Sequence, residues 1–253
     1  MSEPAFFDGL LVAWFCLAAA IFPLLFLIPA PYGRHARSGW GPSIEDRLGW
    51  LIMESPAVFV IATCFFLGEH RDTVAAFAFL AMWEAHYLHR DFIYPLGLER
   101  RGKRMPVFVV GAGFLFNVGN GYLNGRYLFT LSGGYPAEWL WGWRFLAGLG
   151  LFVAGYLMNR QADRTLLDLR RSSKSGYQIP QGGLYRWISC PNYLGEIIEW
   201  SGWALATWSL PGLAFAVWTA ANLVPRAWVH HAWYRTHFPD YPSKRKALIP
   251  GLW

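Results

Sequence analysis

Apolar stretches of spanning length recur seven times along the chain. They run near Phe6–Ile28, Leu48–Leu67, Val74–Tyr94, Val107–Leu131, Trp139–Met158, Leu194–Leu210 and Leu213–Val229. Each is close to the ~20 apolar residues that a helix needs to cross a bilayer. The last two are separated by Pro211-Gly212, a tight-turn signal. The pattern predicts an all-α protein of seven transmembrane helices.

The basic residues give that pattern a direction. Arg34, Arg37 and Arg47 lie in the loop Pro31–Arg47, and Arg100, Arg101, Lys103 and Arg104 in Pro95–Pro106. Arg160, Arg164, Arg170, Arg171, Lys174 and Arg186 lie in Asn159–Asn192, and Arg226, Arg235, Lys244, Arg245 and Lys246 in the tail. Arg71 stands against them in an opposite-side loop. With seven spans all the basic loops fall on one side. The positive-inside bias makes that side cytoplasmic, with the N-terminus outside and the C-terminus in the cytoplasm.

Composition agrees with this reading. The chain has 253 residues, 55% of them apolar and only 15% charged, against about 25% charged in a soluble domain. Fifteen Trp and nineteen Phe suit lipid-facing surfaces and interfacial belts. The net charge of +6 is gathered in loops rather than in one stripe, which argues against nucleic-acid binding. Cys16, Cys64 and Cys190 are too scattered for a disulfide framework or a metal site. No cleavable leader is expected, because the first apolar run is long enough to span and no basic segment precedes it. The whole chain, 1–253, reads as a single multi-pass membrane domain.

The chemistry concentrates around Tyr177–Trp200, YQIPQGGLYRWISCPNYLGEIIEW, a loop that turns into a helix after Asn192. Glu196 and Glu199, three apart, share a face of that helix. The segment Asn159–Arg171, NRQADRTLLDLRR, extends the fifth run as a helix into the cytoplasm. Asn159, Asp163, Arg170, Tyr177, Asn192, Glu196, Glu199, Arg226, His230 and Tyr234 form a large polar set on that side. They suit a phosphate-bearing cofactor, or a salt-bridge network tying the last spans together. Within the runs, Glu54 lies deep in the second, and Glu84, His86, Tyr87, His89, Arg90 and Asp91 crowd the end of the third. Intramembrane ionisable groups are functional by default, though a patch at a span end also suits a headgroup region. His230, His231 and His237 match no zinc spacing, and Gly182-Gly183 has no preceding strand, which rules out a Rossmann fingerprint.

The segments YQIPQGGLYRWISCPNYLGEIIEWSGWALATWSLPGLAFA and HHAWYRTHFPDYPSKRKALIPGLW resemble the steroid 5α-reductase family, as do HYLHRDFIYP at His86–Pro95 and GNGYLNGRYL at Gly119–Leu128. The resemblance covers about the last four-fifths of the chain and suggests a bacterial-type homologue. It implies a seven-helix membrane reductase that uses NADPH on 3-oxo-Δ4-steroids, in a bacterial inner membrane or the endoplasmic reticulum. Helices within 1–131 would form the substrate cavity, and 132–253 the cofactor-binding part. It assigns the ketone-polarising pair to Glu54 and Tyr87, a substrate contact to Trp50, and the cofactor to the ten residues of the polar set, with no metal. MESP at Met53–Pro56 stands where the family has a Gln-Glu pair, Lys103 sits in a longer loop, and Ser172-Ser173 replaces the usual Pro-Gly. Two other classes share some features: an isoprenylcysteine-type methyltransferase using S-adenosylmethionine, and a non-enzymatic sterol-binding protein. Glu54 with Tyr87 favours reduction, because methyl transfer needs no carbonyl polariser.

Overall fold

The computed structural model describes residues 2–97, 102–172 and 176–253. Arg100, Arg101, Ser173 and Lys174, named among the loop residues above, lie outside them. A helix lies on each of the seven apolar runs. These are α1 (Glu3–Leu27), α2 (Asp46–Phe66), α3 (Val74–Tyr87), α4 (Val107–Arg126), α5 (Trp143–Ser172), α6 (Pro191–Thr207) and α7 (Leu210–His237). Among the described residues, α1 and α2 are long and apolar enough to cross a membrane by length and composition. The chain divides into two compact units, one of Met1–Leu11 with Ala30–Leu146, the other of Val12–Pro29 with Ala147–Trp253.

In the first unit, β1 (Ser43–Glu45) pairs antiparallel with β2 (Arg104–Pro106), Ser43 opposite Pro106. α2 starts directly after β1 and α4 directly after β2, so this short ribbon fixes where both helices begin. They then run parallel at close range. A Cβ on Gly113 would meet Met53 Cγ at 2.3 Å, one on Gly121 Val60 Cβ at 3.1 Å, and one on Gly125 Cys64 Cβ at 2.6 Å. Glycine weakens an isolated helix but lets two backbones approach, as small residues do at membrane-helix interfaces. α3 is capped by Thr73, whose hydroxyl accepts from the Ala76 amide at 3.1 Å, and is tied to α2 by Trp83 Nε1 donating to the Ala57 carbonyl at 2.9 Å. Beyond α3 and α4 the helical winding widens to π geometry at Leu88–Ile93 and Tyr127–Leu131. Such widening is frequent at functional sites.

The second unit uses the same device more severely. α5 and α6 meet backbone to backbone along Gly148 and Gly155 on one helix and Gly195 and Gly202 on the other. A Cβ on Gly155 would lie 2.3 Å from the Glu199 nitrogen, and one on Gly202 2.4 Å from the Phe152 nitrogen. Each pair is seven residues apart, so both glycines of a helix share one face. α6 begins at Pro191 rather than after Asn192. Proline suits a first turn, where its missing N–H would have no intrahelical partner. α7 is capped by Ser209, accepting from the Gly212 amide at 3.1 Å. It runs eight residues past the apolar run, because the polar stretch His230–His237 keeps the helical winding. Trp218 Nε1 donates to the Trp14 carbonyl at 2.8 Å, fastening the later part of α1 to α7.

Gly150, exposed on α5 with nothing within 4 Å of a built Cβ, is the internal control for this seam. Gly150→Ala is expected to hold or raise the thermal midpoint of the detergent-solubilised protein, in line with the ~1 kcal/mol helix preference for alanine. Gly155→Ala and Gly202→Ala are expected to lower it by several degrees, since overpacking costs about 1–3 kcal/mol. Equal midpoints for the three variants would contradict the close approach.

Candidate functional site

Each unit presents one polar constellation within apolar helices. In the first, Glu54 sits half-buried on α2. Asn117, 4% exposed on α4, donates through Nδ2 to the Met53 carbonyl at 2.9 Å and to Glu54 Oε2 at 3.3 Å. The glycines on either side, Gly113 and Gly121, bring α4 close enough for this contact. Tyr87, 4% exposed at the end of α3, packs its ring against Trp83 at 5.1 Å and His86 at 4.9 Å. Trp50 donates through Nε1 to the Arg90 carbonyl at 3.1 Å, and the Arg90 guanidinium lies 4.6 Å from the Trp50 ring. His86 and Asp91 are buried, so the headgroup-facing alternative for the end of the third run fails for them and for Tyr87. Neither carboxylate oxygen of Asp91 nor of Glu84 has a hydrogen-bond partner among the described residues.

In the second unit, the glycine seam sets four residues of the polar set against one another. Asn159 Nδ2 donates to the Asn192 carbonyl at 3.0 Å and to Glu196 Oε2 at 3.4 Å. Asn192 Nδ2 donates to Asp163 Oδ1 at 3.1 Å. Asn159 and Asp163 are buried, and Glu199, one turn further along α6, is wholly so. Arg226 and His230 come from α7. Arg226 Nε donates to the Tyr193 hydroxyl at 2.9 Å, and His230 Nδ1, the only possible donor of its pair, donates to the Arg226 carbonyl at 2.7 Å. Tyr234 stacks on Tyr241 at 5.3 Å and 9°, and Tyr177 meets the Trp233 ring edge-on at 5.2 Å. Arg170 stands in the last turn of α5.

The chemistry of this donor set fits a dinucleotide. Amides and carboxylates suit ribose and carboxamide groups, and guanidinium groups suit phosphate. Arg160 adds an observation of its own. Its Nη1 is buried without a hydrogen-bond partner among the described residues, and burial, partly opposed by Asp163, lowers its pKa. A cavity of about 140 Å³ lies beside this turn of α5, lined by Gln161, Thr165, Gln181, Gly182, Gly183 and Pro191 among others.

Two residues outside the set singled out from the sequence organise the site. Asn117 is one; its signal was a polar residue in an apolar run beside glycines. Arg245 is the other. It is 3% exposed and donates to the Pro180 carbonyl at 3.2 Å and to Gln181 Oε1 at 3.4 Å. The tail continues as backbone bonds, with the Ser189 amide donating to the Lys246 carbonyl at 2.8 Å and the Cys190 amide to the Ala247 carbonyl at 3.2 Å. It thereby clamps the loop that delivers Asn192. Ser189 Oγ lies 2.7 Å from His231 Nδ1 and 2.6 Å from the Tyr241 hydroxyl.

The fold is mostly helical, with one polar constellation in each unit, and comparison with known proteins names the family. Residues 103–253 match the family model described as 3-oxo-5-alpha-steroid 4-dehydrogenase. The chain is 41% identical to steroid 5-alpha-reductase DET2 of Gossypium hirsutum over 256 residues, covering 100% of this chain and 99% of the relative. It is 39% identical to 3-oxo-5-alpha-steroid 4-dehydrogenase 1 of Bos taurus, with the same coverage, and 43% identical to 3-oxo-5-alpha-steroid 4-dehydrogenase 2 of Sus scrofa over 93% of this chain and 92% of the relative. The chain belongs to the 3-oxo-5-alpha-steroid 4-dehydrogenase family. These relatives are plant and mammalian and lend the bacterial-type expectation no support. They lend none to the methyltransferase or non-enzymatic readings either.

The tail clamp is expected to weaken in acid. Burial first, then the cations Arg235, Arg245 and Lys246, depress the pKa of His231 below its usual 6.5. A depressed folded-state value gives stability that is fully present above the unfolded pKa and is lost as pH falls through the folded one. Thermal unfolding followed from pH 7.5 down to about pH 5 should therefore show a falling midpoint. His231→Gln should flatten that fall, and an unchanged slope would contradict it.

Proposed function

We propose that this chain is a multi-pass membrane enzyme that reduces the Δ4 double bond of 3-oxo-Δ4-steroids to 5α-3-oxosteroids with NADPH. The observation that carries the reading is full-length similarity to named 5α-reductases, together with a carboxyl and a phenol set among apolar helices in the first unit. Large apolar side chains such as Phe59, Phe66, Phe108 and Leu115 stand more than 60% exposed on the helices, which supports a lipid surround. The topology we propose has seven spans, with the N-terminus outside and the C-terminus cytoplasmic, within one membrane domain.

NADPH, when bound, supplies the hydride that reduces the substrate at C5. Asn159, Asp163, Arg170, Tyr177, Asn192, Glu196, Glu199, Arg226, His230 and Tyr234 would hold it, the cations taking phosphate and the amides and carboxylates the sugar and carboxamide. Reduction at C5 drives negative charge onto the C3 oxygen. A donor already aimed at that oxygen stabilises the charge without reorganising. The Tyr87 phenol fills that role. Glu54 either donates to the same oxygen or orients the phenol. Asn117 acts through Glu54. Its Nδ2 donates to Oε2 and so orients the carboxyl. Trp50, braced by Arg90, offers an aromatic face to the apolar substrate.

Kinetics of the purified protein with testosterone test these roles. Glu54→Gln and Tyr87→Phe are expected to lower kcat about 100-fold or more while NADPH affinity holds. Asn117→Leu should lower kcat about tenfold, the worth of one buried hydrogen bond, and Asn117→Gln should recover part of it. Normal turnover in Glu54→Gln and Tyr87→Phe would remove both from the mechanism.

A further inference from the structure

α7 carries chemistry on two faces. Arg226, His230 and Tyr234, four residues apart, form the stripe assigned above to the cofactor. Trp228, His231 and Arg235 form a second stripe on the same helix. At 100° per residue the two are centred about 130° apart. The second stripe lines a separate cavity of about 210 Å³, completed from the tail by Lys246, Leu252 and Trp253. None of these six residues belongs to the candidate cofactor or substrate set.

The cavity lining combines basic and aromatic groups. His231, Arg235 and Lys246 supply the basic groups, and the depressed pKa of His231 has Arg235, Arg245 and Lys246 among its causes, so a positive field converges there. Trp228 and Trp253 supply the aromatic groups and stack at 5.6 Å and 11°. Trp253 is held in place by its own backbone, whose carbonyl accepts from the Leu248 amide at 2.9 Å and the Ile249 amide at 2.6 Å. Trp228 is 46% exposed and Leu252 73% exposed, so the rim of this cationic cavity is apolar and open.

Depth along the helix decides what such a cavity meets. α7 has 28 residues, about 42 Å at 1.5 Å per residue, whereas the hydrocarbon core is about 30 Å thick. Counted from Leu210, Trp228 lies about 27 Å along and His231 to Arg235 about 31–38 Å. A span that enters the core at Leu210 therefore leaves it near Trp228, where tryptophan is favoured, and carries His231 and Arg235 into the headgroup layer. The charge there complements phosphate, and the aromatic rim complements glycerol and the first acyl carbons.

We propose that this cavity is a binding site for the phosphate headgroup of an anionic glycerophospholipid, on a face of α7 separate from the cofactor stripe. The proposal rests on the membrane reading above. Retention of the protein in the bilayer reports on that reading separately.

The test is native mass spectrometry of the full chain released from nanodiscs made with phosphatidylcholine, with and without phosphatidylglycerol. Wild-type protein should retain phosphatidylglycerol in preference to phosphatidylcholine. Arg235→Gln combined with Lys246→Gln should weaken that retention about 30-fold, roughly fivefold for each charge. Trp228→Ala should weaken it without altering the net charge, and NADPH affinity should not change in any of these variants. Undiminished retention in the double variant would overturn the proposal. Displacement of the lipid by millimolar inorganic phosphate would overturn it in favour of a free-anion site, and a matching loss of NADPH affinity in favour of an extension of the cofactor site.

Discussion

The chemistry of this protein depends on how closely helix backbones can approach. Asn159 reaches Asn192 and Glu196 only because α5 and α6 touch at Gly155 and Gly195, where a single Cβ would collide with main-chain atoms at 2.3 and 2.6 Å. Asn117 reaches Glu54 only because Gly113 and Gly121 draw α4 onto α2. In both units glycine gives up intrinsic helix stability for contact, and the contact sets a hydrogen-bonded polar group beside an apolar wall. In a medium where burial alone does not drive helices together, such packing and the hydrogen bonds it permits are what hold a bundle.

That arrangement also fixes the orientation of the polar groups. Asn159, Asn192 and Asp163 bond to one another, which holds them in place. Asn117 donates to Glu54 Oε2, and Arg226 Nε donates to the Tyr193 hydroxyl, so these groups are braced as well. The C-terminal tail belongs to this bracing. Arg245 and the backbone from Lys246 to Ala247 hold the Pro180–Cys190 loop, so a segment that reads as a basic tail acts as a clamp.

The seven helices were legible because each carries an apolar run, and their cores fall where the runs fall. Their ends were less so. α7 continues to His237 because helical winding does not require apolar residues, and α6 begins one residue before Asn192 because proline suits a first turn. The candidate site was legible as residue types in apolar surroundings, with roles drawn from resemblance. Asn117 and Arg245 escaped because their importance lies in partners 63 and 65 residues away, which no local pattern reveals. The glycines were visible, but that they face one another across two helices is tertiary information.

Following the hydrogens tests the proposed reduction most directly. The protein, reconstituted in proteoliposomes, is given NADPH deuterated at the nicotinamide C4 and a 3-oxo-Δ4-steroid such as progesterone, and the product is read by mass and NMR. The expected product is a saturated 3-ketone that has gained two hydrogens, with the cofactor's deuterium at C5 in the 5α configuration and a solvent hydrogen at C4. Deuterium at another carbon would contradict hydride delivery to C5. A steroid left unreduced while the bilayer-embedded protein binds NADPH would contradict steroid reduction altogether.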